Sequence, residues 1–230
     1  MRREIETPYG PARVTLTRPD GSGSSPATEQ RSRGLVLLGH SAGGGIDAPD
    51  LQSVAAALTE ADVAVGLVEQ PYRVAGRRGP AGAPSIDVAL LAVVDAVRRA
   101  DEPLVLGGRS SGARVACRTA RTAAAAGVLA LAFPLRPPWR PEATRLPELT
   151  GTGVPALVVQ GERDRFGGAA QLEAELAHAP TEAPVAVLPV PGADHSLTKP
   201  LDLPRIVDWV LARLGGREPG DPVDPRVRRR

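Results

Sequence analysis

Cysteine is all but missing from this chain of 230 residues: Cys117 stands alone. Neither an intramolecular disulfide nor a thiolate zinc cluster is therefore available. Lysine occurs once, at Lys199, against 27 arginines, a bias that reflects GC-rich coding before it reflects chemistry. Aromatic residues make up 3% of the chain, so a core has to be assembled from Ala, Val and Leu. No apolar run approaches the roughly 18–20 residues of a membrane span, and the opening MRREIETPYG has no apolar signal segment. A soluble, cytoplasmic protein with no membrane partner is expected. A basic body is lacking as well: the net charge of +2 arises in residues 215–230, which carry five Arg against three Asp/Glu, while residues 1–214 balance. Nucleic-acid binding by the folded body is not expected, nor is any cofactor or metal, and oligomeric state is left open.

What is present is alternation. Residues 2–17 alternate apolar and polar positions around Tyr9-Gly10-Pro11, as a hairpin does. Residues 18–33 gather Gly, Ser, Pro and charge and read as an exposed connection. From residue 34 to 214, apolar strand-like runs alternate with stretches of helical period. The runs are 35–39, 63–68, 104–108, 128–133, 154–160 and 183–190; one helical stretch carries Leu51, Val54, Ala55 and Leu58 on its apolar face, and the others lie near 85–99, 111–126, 168–179 and 202–214. This pattern predicts a mainly parallel sheet covered by helices on both faces. Prolines at 134, 137, 138, 141 and 147 predict an irregular segment, and residues 215–230 a basic, disordered tail. In such a sheet ligands gather at the carboxyl ends of the strands.

Two stretches fit G-x-S-x-G: Gly39-His40-Ser41-Ala42-Gly43 and Gly108-Arg109-Ser110-Ser111-Gly112. The second sits between a strand and a helix, the setting of a nucleophile elbow, where small residues permit a close strand-to-helix crossing. A serine nucleophile needs a base, and the base needs a carboxylate to orient it. His195 in Pro191-Gly192-Ala193-Asp194-His195 and Asp164 in Gly161-Glu162-Arg163-Asp164 each follow a different predicted strand on the favoured edge. Ser110, Asp164, His195 is nucleophile, acid, base in chain order, the order of α/β-hydrolases. Glu162 and Asp194 are weaker candidates for the acid, and His178 and Cys117 read as structural. Were Ser41 the nucleophile, a second strand-helix pair and the whole elbow at Ser110 would lie between it and its acid, so its loop reads as oxyanion support. The expected donors are the backbone N–H groups of Ser111 and Ala42. His40, Ser41, Tyr72 and Arg73 are candidates for substrate contact.

With these residues in place, roughly residues 34–214 resemble the predicted α/β-hydrolases related to dienelactone hydrolases. That group includes bacterial proteins, testis-expressed homologues and a hydrolase-like subunit of a histone-acetyltransferase complex. The likeness rests on H-S-A-G-G-G-I-D-A-P at 40–49, Pro71-Tyr72-Arg73, G-G-R-S-S-G-A-R at 107–114, F-P-L-R-P-P at 133–138, Q-G-E-R-D-R-F-G at 160–167 and G-A-D-H-S-L at 192–197. It implies an α/β-hydrolase fold and a Ser-Asp-His triad at Ser110, Asp164 and His195. Two departures stand out: serine occupies the elbow where dienelactone hydrolases carry cysteine, and Ser41 replaces the first glycine of the family's His-Gly-Ala-Gly. The expected activity is hydrolysis of a small ester, lactone or related acyl compound. The alternative is a hydrolase-shaped binding or scaffold protein that docks through its Arg-rich loop and tail.

Overall fold

A computed structural model describes residues 1–19, 32–79 and 82–215. The expected tail and most of the expected 18–33 connection lie outside the described residues. β1 (Arg2–Ile5) and β2 (Ala12–Thr17) pair antiparallel as the hairpin predicted from their alternation. β2 then pairs antiparallel with β4 (Ala64–Glu69), at one edge of an eight-stranded sheet ordered β1-β2-β4-β3-β5-β6-β7-β8. β3 (Leu35–Gly39), β5 (Leu104–Arg109), β6 (Gly127–Leu131), β7 (Ala156–Gly161) and β8 (Val185–Val190) continue the sheet in parallel register. β3 and β5 read as unbroken apolar runs because both of their faces are covered, the condition that parallel strands require.

On one face lie α1 (Pro49–Glu60) and α7 (Leu203–Leu214), burying Leu51, Val54 and Leu58 beside Ile206 and Val210. On the other lie α3 (Ala83–Val97), α4 (Ser111–Thr119), α5 (Leu146–Thr150) and α6 (Ala169–Leu176), burying Ile86, Leu90, Val115, Leu149 and Leu172. Each such side chain removed from water contributes about 1.5–3 kcal/mol, which offsets the chain entropy lost on folding.

Three local expectations are corrected. Residues 69–84, which carry neither a strand-like run nor a helical period and so read as loop, are not all loop: Pro71–Val74 form the short helix α2, and Pro71 is tolerated because a first-turn proline lacks only an N–H that has no intrahelical partner. Pro147 stands in the first turn of α5 for the same reason, so the proline-rich stretch is not wholly irregular. α4 stops at Thr119 rather than near residue 126, and Ala124 reverses the chain at φ 46°. Glycine usually marks such a reversal, so composition carries no stop signal there.

The elbow is positioned by bare backbone contact. A Cβ on Gly112 or Gly108 would overlap the backbone of Gly39, so β3, β5 and α4 approach at a distance only glycine permits.

Candidate active site

Ser110 stands between the end of β5 and the start of α4 at φ 54°, ψ −106°. For a side chain with a Cβ this backbone is strained by about 1–3 kcal/mol. It is held in place because the Ser110 N–H donates to the Leu131 carbonyl at 2.9 Å and its carbonyl accepts from the Arg114 N–H at 3.2 Å. The hydroxyl is thereby lifted above the carboxyl edge of the sheet.

There it meets His195. The loop after β8 brings His195 Nε2 to 2.9 Å from Ser110 Oγ, and His195 Nδ1 lies 2.8 Å from Asp164 Oδ2. An ionised carboxylate only accepts, so Nδ1 carries the proton and the Nε2 lone pair receives the serine O–H. The structure thus brings together the three residues singled out in the sequence, each from a different loop. Asp164 is buried, and both of its oxygens accept hydrogen bonds. Oδ2 also accepts from Gln160 Nε2 at 3.0 Å, and Oδ1 accepts from the Phe166 N–H at 2.8 Å. Gln160 was not singled out as a site residue. Its signal was a polar residue inside an apolar strand, and its amide reaches the Phe133 and Gly167 carbonyls too.

The loop after β3 carries Ala42, next to Ser41, which Arg109 of the elbow contacts. Here the reading of His40 and Tyr72 as substrate contacts is revised, because both are buried and turned to the backbone. His40 Nε2 accepts from the Gln70 N–H at 3.1 Å, which leaves Nδ1 to donate to the Ser41 carbonyl at 2.7 Å. A trans peptide points its C=O and N–H in opposite directions, so fixing the Ser41 carbonyl aims the Ala42 N–H the other way. Tyr72 donates its hydroxyl to the Ala42 carbonyl at 3.0 Å and so fixes the next peptide. Among the described residues, neither the Ala42 N–H nor the Ser111 N–H donates to a protein acceptor. Burial holds the His40 pKa below its ordinary value, with the nearby Arg73 acting in the same direction. The neutral ring is the form this arrangement needs.

Arg109, given no role by the sequence, joins these parts. It directly precedes Ser110, and its Nη1 donates to Ser41 Oγ at 3.2 Å while Nη2 donates to the His195 carbonyl at 2.9 Å. Its Nε lies 2.9 Å from Asp50 Oδ2 in the first turn of α1. That contact is a close ion pair rather than an aligned hydrogen bond. Burial raises the Asp50 pKa and the Arg109 charge opposes the rise. One guanidinium therefore ties the oxyanion loop, the base loop and α1 to the residue beside the nucleophile. Its sequence signal was a long cation at a strand end, between glycine and serine, where solvent exposure is not guaranteed.

The remaining candidates are accounted for. Ser41 is half-buried, its hydroxyl taken up by Arg109. Arg73 is exposed on α2, with its guanidinium beside Gly45 of the oxyanion loop. Glu162 accepts from the Gly192 N–H and Asp194 from the Ser196 N–H, so both carboxylates shape the loops around His195 and Asp164. Arg114 forms a bidentate pair with Glu148, and Arg118 joins Glu148 to Asp87, tying α3, α4 and α5 together. Cys117 is buried and its thiol is pushed up to about 12, which leaves it no thiolate chemistry at neutral pH. Among the described residues no three His, Cys, Asp or Glu side chains are grouped to hold a metal ion, and no helix is long and apolar enough to cross a membrane.

Solved structures repeat the architecture. Est1E from Butyrivibrio proteoclasticus superposes with a TM-score of 0.71 at 15% identity, over 93% of this chain and 98% of that one. A dienelactone hydrolase from Anabaena variabilis gives 0.66 at 20% identity, over 94% and 97%. A serine hydrolase without a lid from Xanthomonas campestris gives 0.62 at 20% identity, over 94% and 92%. At such identities the likeness is one of fold. No curated protein matches the chain in sequence. The alpha/beta hydrolase domain model, in contrast, matches residues 32–206, a span that contains the elbow, the acid and the base, and the chain belongs to that family.

Proposed function

We propose that this chain is a serine esterase acting in the cytoplasm on a small ester, lactone or related acyl compound. Within its family we read it as one of the dienelactone-hydrolase-related group, on the motifs around residues 40–49, 107–114 and 160–167. Ser110 Oγ attacks the carbonyl carbon while its proton passes to His195 Nε2. Asp164 keeps the imidazole in the required tautomer and stabilises the imidazolium that forms. The carbonyl oxygen becomes an oxyanion and takes hydrogen bonds from the Ser111 and Ala42 N–H groups. When the intermediate collapses the C–O bond breaks, and His195 gives its proton to the departing oxygen. The acyl group is left on Ser110. Water then repeats the attack with His195 as base, releasing the acid and restoring the serine.

The observation that carries this reading is the unbroken relay of 2.9 and 2.8 Å from Ser110 through His195 to buried Asp164. A hydrolase-shaped scaffold has no need of it. The test is hydrolysis of short-chain esters by wild type and Ser110→Ala. A loss of at least about 10³-fold in kcat/KM supports the reading. Equal turnover by both proteins overturns it.

A further inference from the structure

The chain has two Phe, two Tyr and two Trp; one of these six rings lies against the base and a second lies against that ring. Phe166 packs on the His195 ring, with centroids 4.2 Å apart and planes tilted by 37°. It is held there by its backbone, whose N–H donates to Asp164 Oδ1 and whose carbonyl accepts from the Arg136 N–H at 2.7 Å. Trp139 meets Phe166 at 5.8 Å and 88°. It leaves the Pro137-Pro138 turn with 69% of its surface exposed. Phe133 and Tyr72 are buried, whereas Trp139 is more exposed than Tyr9, at 44%. Leaving an indole in water at the rim of the site forgoes the burial that aromatic side chains normally supply.

The direction of the chemistry says what this corner faces. His195 Nε2 lies 2.9 Å from Ser110 Oγ, so the departing oxygen has to come within reach of that nitrogen to take its proton. Because His195 returns its proton to the departing oxygen, the group bonded to that oxygen sits on the His195 side. Phe166 packs on the His195 ring, and Trp139 packs on Phe166. Resting on the esterase reading above, we infer that the substrates are esters whose leaving alcohol carries an aromatic ring, which is received in the right-angled corner of Phe166 and Trp139. The acyl–oxygen bond breaks, water supplies the hydroxyl of the acid, and the arylalkyl alcohol leaves with the proton from His195.

Benzyl acetate and cyclohexylmethyl acetate test this directly. They share an acyl group and a CH₂–O leaving end and differ in the flatness of the ring, and the cyclohexyl group is the favoured partner of a merely greasy surface. The expected result is a kcat/KM ratio of benzyl to cyclohexylmethyl that falls about two- to tenfold in Trp139→Ala and in Phe166→Leu. Comparing ratios between proteins cancels the intrinsic difference between the two alcohols. Trp139 is exposed, so its truncation does not endanger the fold. Equal ratios in wild type and both variants, with turnover intact, overturn the inference and leave the esterase reading standing.

A binding readout separates the two failures. With Trp209→Phe, Trp139 is the single indole, and benzyl alcohol is expected to change its emission at concentrations where cyclohexylmethanol does not. That change without turnover of any ester supports the aromatic corner and overturns the esterase reading. Neither turnover nor an emission change overturns both.

Discussion

Two copies of the same five-residue pattern lie side by side in this sheet. β3 and β5 are parallel neighbours, and their register pairs Gly39 with Gly108, so the two G-x-S-x-G stretches begin level with each other. After Gly108 the chain turns at once into α4, and Ser110 takes a positive φ beneath His195. After Gly39 it runs in a loop to α1 at Pro49. Ser41 then gives its carbonyl to His40 and its hydroxyl to Arg109. One copy presents a serine to the chemistry and the other presents a peptide. The pattern does not make the difference; the crossing glycine, the acid-base pair behind Ser110 and the contacts that tie down Ser41 do.

The largest way to break the contrast is to disable the relay that only Ser110 has. Asp164→Asn keeps the shape but no longer requires the Nδ1–H tautomer of His195, and kcat for ester hydrolysis is expected to fall by about 10⁴-fold. Next come the closing glycines. A methyl group at Gly112 meets the backbone of Gly39, whereas one at Gly43 meets nothing within 4 Å. Gly112→Ala is expected to lose more than about 3 kcal/mol of stability by urea unfolding, and Gly43→Ala less than about 0.5 kcal/mol. The third concerns Arg109, whose fork reaches two loops and the first turn of α1 at once. Arg109→Lys keeps the charge but not the fork, and a kcat about ten- to a hundredfold lower is expected from misplaced groups. Ser41→Ala removes one of its contacts and is expected to cost less than about threefold.

The smallest effect sharpens the role of His40. Its folded-state pKa lies below the ordinary 6.5, so below pH 6.5 the unfolded chain binds a proton that the folded chain refuses. Stability therefore falls as pH drops from 6.5 toward the folded value, at no more than about 1.4 kcal/mol per pH unit. The groups facing His40 are Tyr72, Arg73 and Glu69. Urea midpoints at pH 7 and pH 5 should separate more in wild type than in His40→Gln.

Much of this was legible in the sequence because it follows from pattern. Unbroken apolar runs mark strands covered on both faces, and Ser110, Asp164 and His195 stand where such runs end, in an order few arrangements share. The order said nothing of Gln160, Asp50 or Arg109. Asp50 and Gln160 are buried and Arg109 is half-buried, and only the packed sheet reveals which groups they meet. His40 and Tyr72 misled for a related reason. A polar ring after a strand end can face a ligand or the backbone around it, and the choice depends on Gln70 for His40 and on Ala42 for Tyr72, which topology brings in. Phe166 was read within a motif, but its stacking on His195 required the fold.

The most direct test of the central contrast is to treat the protein with a fluorophosphonate and map the adduct by peptide mass spectrometry. The account predicts a single phosphonylated residue, Ser110, in wild type and no adduct in Ser110→Ala, although Ser41 remains. An adduct on Ser41, or labelling that persists in Ser110→Ala, would contradict it.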